Sequence, residues 1–142
     1  MQNAINEAEK ILKNGKDIPV GCVIKCKNEI IAISHNLREE NEDVTAHAEI
    51  LAIQEAQKKL KTSRLTDCDM YVTLEPCPMC AWAIIQSGIK NLYFGSYNTQ
   101  YGAIQSAIDL PKLANSKIKV YGGIEEEKCN KILEDFWEKV RG

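Results

Sequence analysis

The stretch Leu-Glu-Pro-Cys-Pro-Met-Cys, residues 74–80, places Cys77 and Cys80 with two residues between them. Such a pair can act as a redox couple, as half of a structural zinc site, or as part of a catalytic metal site. The choice depends on which other ligand reaches the two sulfurs. The chain has only two histidines, His35 and His47. His47 lies in Thr-Ala-His-Ala-Glu-Ile-Leu at the start of a predicted helix, with Glu49 two residues further on. Two such positions are about 200° apart around a helix axis, so they cannot share a side face in mid-helix. They serve one site only if the helix points its N-terminus there. Cys77 and Cys80 likewise open a helix straight after a strand, and Pro78 suits its first turn.

Two helix N-termini aimed at one spot supply positive potential, which lowers thiol pKa values and favours an anionic centre. Thiolate and imidazole are ligands that zinc prefers; one histidine and two cysteines leave the fourth tetrahedral position open, as in catalytic sites. An acid beside such a metal can shuttle protons for an attacking water. The pairing of His-x-Glu with Pro-Cys-x-x-Cys is the signature of zinc deaminases; either half alone is weak. Two readings compete. A Cys-Pro-x-Cys redox site normally follows the first strand, near the chain start, and leaves His47 and Glu49 without a role. A closed zinc site needs a fourth ligand from Cys22, Cys26 or Cys68. Cys22 and Cys26 share a strand face with Val20 and Ile24, which suits small core side chains.

The elements that must hold these residues are legible in the hydrophobic pattern. Residues 2–13 carry Ile5, Ala8, Ile11 and Leu12 at helical spacing. Pro-Val-Gly-Cys-Val-Ile-Lys-Cys and Glu-Ile-Ile-Ala-Ile-Ser form a hairpin pattern. A helix over 47–60 places Ala48, Leu51, Ala52, Ala56 and Leu60 on one stripe. Strands follow at 70–74, 91–95 and 117–123, with a helix over 78–88 stopped by Gly88. The last helix aligns Cys129, Leu133, Phe136 and Val140. Helices alternate with strands, so a sheet of five strands covered on both faces is expected.

The 142 residues suit one domain spanning 1–142, 44% hydrophobic and 27% charged. No apolar run approaches the length of a membrane span and the first residues are polar, so a cytoplasmic protein is expected. Six unevenly spread cysteines argue against a disulfide framework. A net charge of -2 says little about partners, and the lysine clusters near 58–64 and 112–119 read as solvated surface.

At Thr-Ala-His-Ala-Glu-Ile-Leu and Thr-Leu-Glu-Pro-Cys-Pro-Met-Cys the chain resembles the cytidine deaminase-like superfamily, and within it the bacterial tRNA adenosine deaminases. The likeness extends over Ile-Pro-Val-Gly-Cys-Val-Ile, His-Asn-Leu-Arg-Glu, Arg-Leu-Thr-Asp-Cys-Asp-Met-Tyr and the late Gly-Gly-Ile. It implies an α/β fold, a three-layer α/β/α architecture around a five-stranded mixed sheet. It further implies one Zn2+ per subunit on His47, Cys77 and Cys80, with Glu49 as general acid and base. The Ala48 backbone N–H and the Asn36 amide would contact the base. Asn36 alone also suits an Asx turn at a strand end. Ile18, Pro19 and Val20 would form an apolar wall, although by themselves they read equally as the start of a strand. The implied activity is hydrolytic conversion of adenosine to inosine at the wobble position of tRNA, on an anticodon stem-loop and with arginine tRNA as the implied substrate. The implied assembly is a homodimer.

The chain departs from the family pattern at Trp82, where a small residue is usual, and at Asn98 and Gln105, where an acidic residue and a glycine are common, in a loop that lies near the RNA in the family. Trp82, Phe136 and Trp137 are expected to pack in the core. The alternatives carried forward are a same-fold deaminase of guanine, cytosine or a nucleotide, and a thiol redox or zinc-stabilised binding module.

Overall fold

A computed structural model describes residues 1–142. Strand β1 (Gly21–Cys26) turns into β2 (Glu29–His35) through Lys27 and Asn28, which both take positive φ, 51° and 66°. Left-handed backbone at both central positions is the type I′ geometry that matches strand twist. The turn thus spans two residues, and Glu29 already belongs to β2. After helix α2 (Ala48–Leu60), strand β3 (Cys68–Leu74) pairs antiparallel with β1. Helix α3 (Pro78–Ser87) crosses over to β4 (Asn91–Ser96), which lies parallel to β3. A further crossover containing the short α4 (Leu110–Leu113) leads to β5 (Lys119–Tyr121), parallel to β4. The order is β2-β1-β3-β4-β5, a mixed sheet of five strands.

The larger core forms under α2 and α3, where Cys22, Ile24, Met70, Val72, Leu92 and Phe94 meet Ala52, Ile53, Ala81 and Ile84. Helices α1 (Gln2–Asn14) and α5 (Glu126–Arg141) pair through Ile5, Ala8, Cys129 and Ile132. Side-chain alternation sends Val23 to this second side. Helix α1 rests so close to β1 that a Cβ on Gly21 would lie 1.9 Å from the Ala4 carbonyl oxygen; only glycine fits there.

Several expectations shift by a turn or less. On α2 the buried positions are Ala48, Glu49, Ala52, Ile53 and Ala56, while Leu60 is exposed. On α5 they are Cys129, Ile132 and Phe136, and Val140 is exposed at the end of the helix. Trp82 and Trp137 do not join the core, being 48% and 44% exposed. Helix α3 is apolar nearly all round, so periodicity could not choose between Trp82 and the buried Cys80–Ala81–Ile84 face. Strand β3 begins at Cys68, and β5 is trimmed to three residues.

Candidate metal centre and substrate cavity

His47 is the N-cap residue of α2 and Cys77 the N-cap residue of α3. Pro78 occupies the first turn of α3, where its missing N–H costs nothing. Both helices therefore present unbonded N–H groups and the positive ends of their dipoles to one point. The Nδ1 atom of His47 lies 3.4 Å from Cys80 Sγ and 3.7 Å from Cys77 Sγ. Tetrahedral zinc with ordinary Zn–N and Zn–S bonds sets its nitrogen and sulfur ligands about 3.6 Å apart. The three ligand atoms lie within 4.8 Å of one another. No fourth histidine, cysteine or carboxylate joins the cluster, as an open catalytic site requires. Cys22, Cys26 and Cys68 stand elsewhere as free thiols.

The electrostatics suit a cation. The Cys80 thiol and backbone N–H and the His47 ring hold the Cys77 sulfur down at about 4, against the opposing effect of burial. Cys80, which shares its proton with Cys77 and is buried, is pushed up. The Cys77 sulfur raises His47 despite burial. Glu49 is 5% exposed, and burial raises its carboxyl to about 7, helped by the negative Cys77 and opposed by its own N–H, His47 and Cys80.

A cavity of about 350 Å³ opens beside these groups, within the range of small-molecule sites. His47, Ala48, Glu49 and Cys77 form its floor, and Ile18, Val20 and Leu74 supply apolar surface. Pro19, expected between Ile18 and Val20 in the wall, is fully buried and does not line the cavity. In an extended segment the middle residue points to the opposite side. Asn36 lines the cavity and also makes the Asx turn: its Oδ1 accepts the Arg38 N–H at 3.1 Å, and its Nδ2 donates to the Ile18 carbonyl at 3.2 Å.

Four lining residues had no role in the sequence reading: Arg38, Leu74, Glu75 and Tyr101. Glu75 is 1% exposed. It accepts backbone N–H bonds from Asn98 and Ile104, both 3.2 Å, Gln105 at 2.8 Å and Ser106 at 2.9 Å, plus the Ser106 hydroxyl. One carboxylate thus folds the whole 98–106 loop over the site. The loop approaches so closely that a Cβ on Gly102 would sit 2.5 Å from Glu75 Cδ. Burial alone would raise Glu75, but the Ser106 hydroxyl and the backbone N–H groups outweigh it and leave the carboxyl below its ordinary value. Asn98 lines the cavity and caps the Tyr101 N–H at 3.0 Å; Gln105 is exposed and does not line the cavity. Asp17, also buried, holds the Arg38 side of the site by accepting the Glu39 and Glu40 N–H groups at 2.6 and 3.2 Å. Only the acid between a strand end and Pro76 hinted at Glu75.

Residues 1–96 match the family model of the cytidine and deoxycytidylate deaminase zinc-binding region. The chain belongs to this deaminase family. The tRNA-specific adenosine deaminase of Bacillus subtilis (strain 168) is 41% identical over 143 residues, 99% of this chain and 88% of that protein. A solved structure from studies of A-to-I editing by tRNA:A34 deaminases at the wobble position of transfer RNA superposes with a TM-score of 0.89. It is 38% identical and covers 94% of this chain and 97% of that one. A guanine deaminase of Bacillus subtilis gives 0.66 at 32% identity, over 82% of this chain and 68% of that one. The sheet and its flanking helices are therefore the cytidine deaminase-like fold, and the His-Cys-Cys cluster of this zinc-binding family fits one Zn2+ per chain. No helix is long and apolar enough to cross a membrane.

Proposed function

We propose that this single deaminase domain converts adenosine to inosine at the wobble position of a tRNA anticodon stem-loop, arginine tRNA in the first instance, in the cytoplasm and as a homodimer. The observation that carries this reading is the buried Glu49 beside the His47–Cys77–Cys80 cluster, at the floor of a cavity large enough for one base. Near-full-length similarity to tRNA-specific adenosine deaminases supports the substrate.

His47, Cys77 and Cys80 would hold the zinc ion, which would supply the Lewis acidity that lowers the pKa of water. Glu49 takes a proton from the attacking water and carries it to the ring nitrogen beside C6. It then takes the second proton from the hydroxyl added at C6 and gives it to the departing amine as the C6–N bond breaks, so that adenosine and water give inosine and ammonia. A carboxyl raised to about 7 is suited to both directions of transfer. The free N–H of Ala48, in the first turn of α2, donates to the base. Asn36 keeps one amide N–H and one oxygen lone pair beyond its turn bonds and is held rigid by them. Ile18 and Val20 flank the base. A base inside a duplex cannot reach such a floor, which favours an unstacked loop nucleotide. The exposed Trp82 on α3 supports a subunit contact there.

The 32% identity with a guanine deaminase favours a second reading, a free-base deaminase. The deciding assay compares inosine in an arginine-tRNA stem-loop carrying wobble adenosine with ammonia release from free guanine and cytosine. Inosine in the stem-loop alone supports the tRNA reading. Turnover of a free base with the RNA untouched replaces it.

A further inference from the structure

Cys26 and Cys68 are direct partners across the antiparallel β1–β3 pair, at the end of the sheet opposite the metal centre. Cys68 turns its own backbone groups away from β1: its N–H donates to the Leu65 carbonyl at 3.1 Å, and its carbonyl accepts the Lys90 N–H at 2.9 Å. Cys26 closes the two-residue turn against Glu29 in the β1–β2 register, so its backbone groups face β2. The two cysteines are thus a non-hydrogen-bonded pair, the type in which opposed Cα atoms approach to about 4.5 Å. That spacing lies within the roughly 4.4–6.8 Å window of a disulfide. Opposed residues also send their side chains to the same sheet face.

Access differs between the two. Cys26 is half-buried and Cys68 is buried, yet both line one surface cavity of about 380 Å³. Lys27 and Arg64 stand at that cavity along with Glu29 and Asp67. We propose that Cys26 and Cys68 form a dithiol modification site, oxidised reversibly to a cross-strand disulfide by low-molecular-weight disulfides such as oxidised glutathione.

The Cys26 thiolate attacks one sulfur of RSSR, expels RS⁻ and becomes a mixed disulfide. Cys68, giving up its proton, attacks the Cys26 sulfur and expels the second RS⁻. The two thiolates leave as RSH with the two protein thiol protons. Two cysteines are oxidised by two electrons and one RSSR is reduced to two RSH. Burial and the neighbouring Cys26 raise the Cys68 thiol to about 12, with Asp67 and Asp69 adding to it. Cys68 is therefore the resolving thiol, not the first nucleophile. The cross-link closes a loop over residues 27–67, which carries Asn36, His47 and Glu49. Cys26 itself lies roughly 20 Å along β1 from Val20 at the cavity.

The test incubates zinc-loaded protein with oxidised glutathione, denatures it in acid, blocks free thiols with iodoacetamide and maps the peptides. The expected product is a Cys26–Cys68 cross-linked peptide, with two glutathione thiols released and zinc retained. The urea midpoint should rise and return to its starting value with dithiothreitol. Cys26→Ser should remove both the cross-link and the shift while deamination continues; Cys26→Ala repeats the test if serine disturbs the strand. A stable glutathione adduct on Cys26 that never resolves, full alkylation of both residues, or a cross-link through any other cysteine overturns the proposal.

Discussion

The Nδ1 atom of His47 lies 3.4 Å from Cys80 Sγ across 33 positions of sequence, because two crossover helices begin at one point above the sheet. The contact belongs to a part-buried, proton-sharing cluster, which a bound cation would fix as three ligands in a single geometry. Zinc therefore stabilises the folded state by mass action. Prolonged chelation should lower the melting temperature and abolish deamination, and added zinc should restore both. Cys80→Ser should purify with zinc well below one per chain by metal analysis. A fully zinc-loaded C80S protein would remove Cys80 from the ligand set.

Glu49 separates chemistry from architecture. Its carboxyl is buried and raised to about 7, so an amide of equal size fits the same place with no charge to desolvate. Glu49→Gln should keep its zinc and its melting temperature while turnover falls by about 10²–10⁴-fold or more. Single-turnover assays on the stem-loop measure the loss. Retained turnover would assign the proton transfers elsewhere.

The two half-sites were legible because each combines metal-ligand spacing with a helix-start signal, His47 before an amphipathic run and Cys77 before Pro78. The Gly88 stop was legible for the same local reason, and the structure gives it φ 78°. What escaped was long-range. Glu75 and Asp17 are acids whose partners are backbone N–H groups 23 to 31 and 22 to 23 positions away, and no periodicity marks such bonds. Cys26 reads as a core side chain until β3 is laid beside it. Stripes on α2 and α5 shifted because positions three and four apart satisfy the same pattern, leaving Leu51 against Ile53 and Leu133 against Ile132 to tertiary packing.

Glu7 on α1 joins His35 on β2 at 2.9 Å and Lys10 at 2.6 Å. Burial alone would raise its carboxyl, but the His35 and Lys10 hydrogen bonds outweigh it and hold the group below its ordinary 4.5. A depressed folded value means that the stabilisation is complete above 4.5 and is lost as pH falls through that lower value. Glu7→Gln should cost about 1 kcal/mol near pH 7, and the difference from wild type should shrink as pH falls below 4.5. Urea denaturation across an acid pH series provides the comparison. A constant difference would assign the effect to packing.

Glu75 ties the 98–106 loop to the end of β3. Its charge is held by N–H groups of the 98–106 loop and the Ser106 hydroxyl, which keep it ionised inside the protein. Glu75→Gln replaces one acceptor oxygen by a donor that faces other donors, leaving buried N–H groups unpaired. A loss of about 2–4 kcal/mol is expected from the broken charge-assisted bonds. The loop carries Asn98 and Tyr101 at the cavity, so kcat/KM on the stem-loop should fall. His47, Cys77 and Cys80 are untouched, and zinc should stay at one per chain. Gly102→Ala strikes the same contact from the loop side, since its Cβ would meet both Glu75 Cδ and the Asn98 carbonyl oxygen at 2.5 Å. The two variants should therefore be less than additive in stability when combined. Full additivity would mean that the Gly102→Ala cost comes from the Asn98 carbonyl, 2.5 Å from that Cβ, and not from Glu75.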